Sequence, residues 1–246
     1  VICLENELLR VGVDLDRGAA LSELLYKPAN VNVLTPSGAP DGFDAFHFEA
    51  GPELRDADGC SRVCTAVEQP PRWTKRFALR AKSPTLVIEE TLTNTNNEEC
   101  AVLMCARVAF GAPLAGVDCR IDAPVVSYFD PREEPILRMR WPKLADGTDL
   151  SNSRAAGTET RKFYLTDFSE GLCRLVNAAR KLSVEVHWDA AQLPYCWIEE
   201  RENEISVAPA SGLPSAAEDG HGLIAIPAGA SATMRTEIRL CLWSRL

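Results

Sequence analysis

Apolar and polar residues alternate one by one along several short stretches of this chain, the period expected of half-buried β-strands. Val11, Val13 and Leu15 alternate with Gly12, Asp14 and Asp16 until Gly18 breaks the run. Leu21, Leu24 and Leu25 open the next short element, and Val31, Val33 and Leu34 form another before Pro36 and Gly38. Trp73, Lys75, Phe77 and Leu79 alternate with Thr74, Arg76, Ala78 and Arg80. Leu86, Ile88, Glu90 and Leu92 alternate with Val87, Glu89, Thr91 and Thr93. A turn at Lys82, Ser83 and Pro84 makes these two segments adjacent antiparallel strands. Neighbouring strand residues point to opposite faces, so Glu89 and Glu90 cannot work together as a carboxylate pair.

The pattern predicts further strands over 101–108, 182–188, 196–198, 222–226 and 232–243. The last places Met234, Thr236, Ile238, Leu240 and Leu242 on one face. No segment sustains a period of 3.6 over ten residues, so long helices are not expected. Residues 36–61 are rich in Gly, Pro and Asp with scattered aromatics, and read as a long loop or set of loops. Many short strands between Gly/Pro/Asp-rich turns predict a mainly β protein, a sandwich or a barrel. Neither a linker nor a repeat interrupts the chain, so residues 1–246 read as one domain.

Charge and composition remove several classes of function. The net charge of -9 offers no basic surface for nucleic acid. No apolar run is long enough to span a bilayer, and the first residues lack the layout of a signal peptide. Nine cysteines on a chain with room for its own core read as reduced thiols in a cytoplasmic protein. Phosphate-loop, dinucleotide, HExxH and GxSxG motifs are absent. His47, His187 and His221 are far apart in sequence, and neither they nor the cysteine spacings form a metal pattern. No metal and no cofactor are expected.

Four stretches carry a resemblance. The first runs from Leu8 to Leu24 with Asn32-Val33-Leu34 after it; the second is Leu86 to Thr95, followed by Ala109-Phe110-Gly111-Ala112-Pro113-Leu114. The third is Leu193-Pro194-Tyr195-Cys196-Trp197-Ile198-Glu199, and the fourth is Val207 to Gly212 with Ile226-Pro227-Ala228-Gly229-Ala230 leading into the final strand. In order and spacing this set resembles the aldose 1-epimerase (galactose mutarotase-like) family. The resemblance implies a large antiparallel β-sandwich, the galactose mutarotase-like supersandwich, with a sugar in an open cleft on one sheet. It also implies ring-opening acid/base chemistry, in which a glutamate deprotonates the anomeric hydroxyl and a histidine protonates the ring oxygen. Where that pattern has two histidines this chain has Ala106 and Arg107, and where it has the glutamate this chain has Ala208.

With those positions replaced, Glu199 becomes the candidate acid or base, and His47 its least unsuitable partner. Arg107, Asp44 and Trp197 are candidate sugar-binding residues: Arg107 as a fixed donor, Asp44 from the aromatic-rich segment 43–49, Trp197 as an apolar ring face. His187 is expected on the surface, opposite Val186 and Trp188. Three functions follow: an aldose 1-epimerase-like isomerase of a hexose or related sugar, a non-catalytic carbohydrate-binding or sensing protein, or a β-sandwich scaffold. The expected partner is a small-molecule sugar, not nucleic acid or membrane; the oligomeric state is left open.

Overall fold

A computed structural model describes residues 1–35, 47–67, 71–116, 118–131, 137–144, 146–153 and 160–242. They form antiparallel sheets, with one short 3-10 turn and one four-residue helix, α1 (Ala216–Asp219). The chain divides into two compact units: residues 1–102 with 224–239, and residues 103–223 with 240–246.

Unit 1 holds a four-stranded sheet of β1 (Ile2–Glu5), β2 (Leu9–Asp14), β3 (Ala20–Tyr26) and β4 (Val31–Asn32) in sequence order. Its larger sheet is built from β5 (Phe48–Ala50), β7 (Gly59–Ala66), β8 (Arg72–Arg80), β9 (Thr85–Thr93) and β21 (Ser231–Leu242), whose last residues belong to unit 2. β6 (Leu54–Asp56) pairs with β7, and β10 (Cys100–Val102) pairs with β20 (Ile224–Ile226). The alternation in β8, β9 and β21 works as expected. Phe77, Leu79, Leu86, Met234 and Ile238 are buried, while Arg76, Arg235 and Arg239 on the opposite positions stay in solvent. Leu242 departs from its predicted face and is exposed.

Unit 2 is organised around a six-stranded sheet. In spatial order it runs β11 (Val108–Gly111), β19 (Glu204–Ala210), β18 (Tyr195–Arg201), β15 (Arg161–Phe168), β13 (Val125–Phe129) and β14 (Arg138–Arg140). β12 (Cys119–Asp122), β16 (Leu172–Asn177) and β17 (Leu182–Trp188) pair in sequence order. One face of the six-stranded sheet is apolar: Phe110, Tyr128, Phe163, Leu165, Ile198, Ile205 and Val207 are all buried. Each such side chain stabilises the unit by roughly 1.5–3 kcal/mol relative to leaving it in water.

Two expectations are corrected. The strand predicted over 101–108 is two strands, β10 and β11, belonging to different units; Arg107 lies just before β11, and an isolated bridge of Cys105 to Ala210 continues the β11 register, so Cys105, Arg107 and Ala109 fall on one face. The loop predicted over 36–61 contains β5, β6 and the start of β7 in its described part. None of the nine cysteines is in a disulfide.

Candidate functional site

The polar face of the unit 2 sheet gathers most of the residues singled out by sequence. Register fixes their neighbours: Trp197 on β18 lies between Tyr164 on β15 and Ala208 on β19, and Glu199 lies between Lys162 and Ser206. Tyr164 meets Trp197 edge to face at 5.8 Å between ring centroids. The Trp197 indole Nε1 donates to the Gly212 carbonyl at 3.1 Å, which fixes the ring plane. Gly212 itself abuts Gly222, whose φ is +86° and where an added Cβ would lie 2.5 Å from the Gly212 Cα. Only glycine allows that backbone approach.

Glu199 is the centre of an ion-pair cluster. Its Oε1 lies 2.7 Å from Arg201 and 3.2 Å from Lys162; its Oε2 accepts from Arg107 Nη2 at 3.4 Å. The same Arg107 nitrogen donates to Ser206 Oγ at 3.0 Å and lies 4.0 Å from Glu204 Oε1. Burial pushes the Glu199 carboxyl up, and the hydrogen bonds and charges of Arg201 and Lys162 overcome it, holding the pKa below its ordinary value of 4.5. Glu199 is therefore a carboxylate at neutral pH and a weak base. Burial, then the charges of Glu199 and Asp130, raise the Tyr164 phenol, so it stays a hydrogen-bond donor.

Position 208, where the resemblance calls for a carboxylate, is a buried alanine beside Trp197 on this face. Ala106 is likewise buried. Arg107, where the resemblance calls for a histidine, offers N–H donors and no acceptor.

The other sequence candidates fall elsewhere. His47 belongs to unit 1 and Glu199 to unit 2; the His47 Nδ1 pairs with Asp16 at 2.7 Å while its carbonyl accepts from the Val67 N–H. Asp44 lies outside the described residues. His187 takes the polar face of β17, opposite buried Val186 and Trp188, and pairs with Glu185 at 3.2 Å. Glu185 is also held by Arg174, which reaches Asp122 as well. Sequence reasoning missed Lys162 and Arg201. The register that brings Lys162 beside Glu199 was not accessible without recognising β15 as a strand. Among the described residues no three His, Cys, Asp or Glu gather as a metal site, and no helix is long and apolar enough to cross a membrane.

No family model matches the sequence, and no curated protein matches it. Solved structures do. A galactose mutarotase-like protein from Lactobacillus casei ATCC 334 superposes with a TM-score of 0.74 at 16% identity, covering 98% of this chain and 99% of that one. The fold is the galactose mutarotase-like β-sandwich. A protein from Synechocystis sp. PCC 6803 gives a TM-score of 0.77 at 13% identity over 98% of this chain and 95% of that one. A galactose mutarotase-like protein from Clostridium acetobutylicum gives 0.73 at 10% identity, with 98% and 94% covered. At these identities the mutarotase-like likeness concerns the backbone; the side chains on the unit 2 face are this chain's own.

Proposed function

We propose that this protein binds a carbohydrate on the polar face of its unit 2 sheet and does so without ring-opening catalysis. The observation that carries this reading is the state of the two carboxylate positions. Position 208 is a buried alanine, and Glu199 is engaged by Arg201, Lys162 and Arg107. Ring opening needs a base and an acid held at two adjacent oxygens, each with a pKa near the working pH. A carboxylate shifted downward and held by the Arg201, Lys162 and Arg107 donors meets neither half of that demand. Binding asks for less: an aromatic face and fixed polar groups beside it. Trp197 and Tyr164 provide the first, Arg107, Lys162 and Glu199 the second. Nine cysteines outside disulfides suit a reducing compartment, and we place the protein in the cytoplasm.

The test is NMR of freshly dissolved α-D-glucose and α-D-galactose with the protein. Line broadening of the sugar, with anomerisation at the spontaneous rate, is expected; Trp197→Ala should remove the broadening. Faster anomerisation that disappears in Glu199→Gln would restore an isomerase using Glu199 as its base. Pyranoses that neither broaden nor anomerise faster would end the carbohydrate reading.

A further inference from the structure

Two contacts hold the Trp197 ring, and one of them is set from a distance along the chain. The Tyr164 ring meets the indole edge to face at 5.8 Å, and the indole Nε1 donates to the Gly212 carbonyl at 3.1 Å. A ring contact limits where the indole lies; the directional N–H bond selects its plane. β19 ends at Ala210, so Gly212 stands two residues past the strand. Ser211 before it is tied down: its N–H donates to the Met104 carbonyl at 2.9 Å, and its Oγ accepts from the Met104 N–H at 3.2 Å. Gly212, next in line, packs against the backbone of His221 and Gly222.

An added methyl measures how close that packing is. At Gly222 a Cβ would lie 2.5 Å from the Gly212 Cα, 2.6 Å from the Ser211 carbonyl oxygen and 3.1 Å from the Gly212 nitrogen. All three are backbone atoms, so no side-chain rotation relieves the clash. At Gly212 a Cβ would lie 2.9 Å from the His221 carbonyl oxygen and 3.1 Å from the Gly222 Cα. Gly220 supplies the contrast: its φ is +72°, yet a Cβ there would meet nothing within 4 Å. Backbone conformation alone favours glycine at 220, whereas at 222 conformation and close approach both demand it.

Resting on the carbohydrate reading above, we propose that Gly222 is a positioning residue for sugar binding, acting through the Gly212 carbonyl on the Trp197 indole. Gly222 itself touches no ligand. Its missing side chain lets the two backbones cross, the crossing aims the carbonyl at Nε1, and the hydrogen bond presents one indole face to a pyranose ring.

The experiment follows the indole N–H resonance of Trp197 in the intact chain, assigned by its loss in Trp197→Phe, together with the affinity for D-glucose and D-galactose by saturation-transfer NMR. Gly222→Ala should shift the indole resonance and weaken sugar binding roughly threefold. Gly220→Ala, which strains the backbone without pushing on Gly212, should leave both unchanged. Trp197→Phe keeps an aromatic ring and removes the donor, so adding Gly222→Ala to it should cause no further loss of affinity. If Gly222→Ala does not fold, Gly212→Ala, with its milder contacts, takes its place and should produce the same two changes. An unmoved indole resonance, or losses that simply add in the double variant, would overturn the positioning role. A shifted resonance with unchanged affinity would overturn it too, confining Gly222 to the fold. Sugars that fail to bind the parent chain would end the carbohydrate reading, and the indole resonance would still decide whether Gly222 orients Trp197.

Discussion

The two units contain the same four-residue arrangement with its sides exchanged. In unit 1, Lys75 and Arg76 on β8 face Glu90 and Glu89 on β9. In unit 2, Arg161 and Lys162 on β15 face Glu200 and Glu199 on β18. Two consecutive bases oppose two consecutive acids in antiparallel register, so each sheet carries one ion pair on either face. Unit 1 turns its lysine inward: Lys75 meets Glu90 at 3.3 Å with its ammonium 4.4 Å from the Trp73 ring centroid, while Arg76 and Glu89 lie outside. Unit 2 turns its arginine inward: Arg161 binds buried Glu200, donates to the Leu150 and Asn152 carbonyls and packs over Phe163, leaving Lys162 and Glu199 on the polar face.

The exchange has a physical reason. A lysine ammonium is a compact charge that one carboxylate and one aromatic face can satisfy, whereas a guanidinium needs several acceptors in its plane. β15 has carbonyls from 150 and 152 within reach, so it can take the arginine inside. The consequence is a flexible, half-exposed lysine on the outer position of unit 2, where the candidate site is.

Removing one partner of the inward pairs should produce the largest effect. Glu90→Ala leaves Lys75 buried without its carboxylate and should cost about 3–5 kcal/mol, as should Glu200→Ala for Arg161; chemical denaturation measures both. Comparable stability in either variant would show that the inward pair is not closed from water and would break the comparison. Next comes Trp197→Ala, expected to weaken sugar binding roughly tenfold, or ~1.4 kcal/mol, against little change for Trp73→Phe in unit 1. Lys162→Ala should change stability by no more than about 1 kcal/mol, because it removes a half-exposed pair while Arg201 and Arg107 still hold Glu199. The smallest effect is that of acid. The folded pKa of Glu199 lies below its ordinary 4.5, so its contribution is complete above that pH and is lost as pH falls through the folded value. Glu199→Gln should therefore show a shallower loss of stability on acidification than the parent chain.

Much of this architecture can be read from alternation alone, and the exceptions share a cause. β8 and β21 bury one face and wet the other, β9 and β17 do so apart from Val87 and Ser183, and all four were expected close to their observed bounds. β19 (Glu204–Ala210) is buried at every position, so its period-two signal vanishes. β15 hides differently: Arg161 reads as surface and is core, paired with a glutamate that reads the same way. Those two strands flank β18 and build the candidate site, which is why Glu199, Arg107 and Trp197 were found singly while Lys162 and Arg201 were not. Local sequence also could not pair His47 with Asp16, a contact made by the chain returning over more than thirty residues.

The close crossing of Gly212 and Gly222 has a use in redesign. The nine residues between them leave and return through one tight neck, and α1 within them is a single short turn. Because the neck holds the carbonyl that orients Trp197, length added beyond it need not be transmitted to the indole. Closing a longer loop costs little, since the penalty grows only logarithmically with length. A peptide epitope or reporter spliced between Pro214 and Glu218 would then be carried next to the candidate face without rebuilding it, making this segment a natural port for sensors.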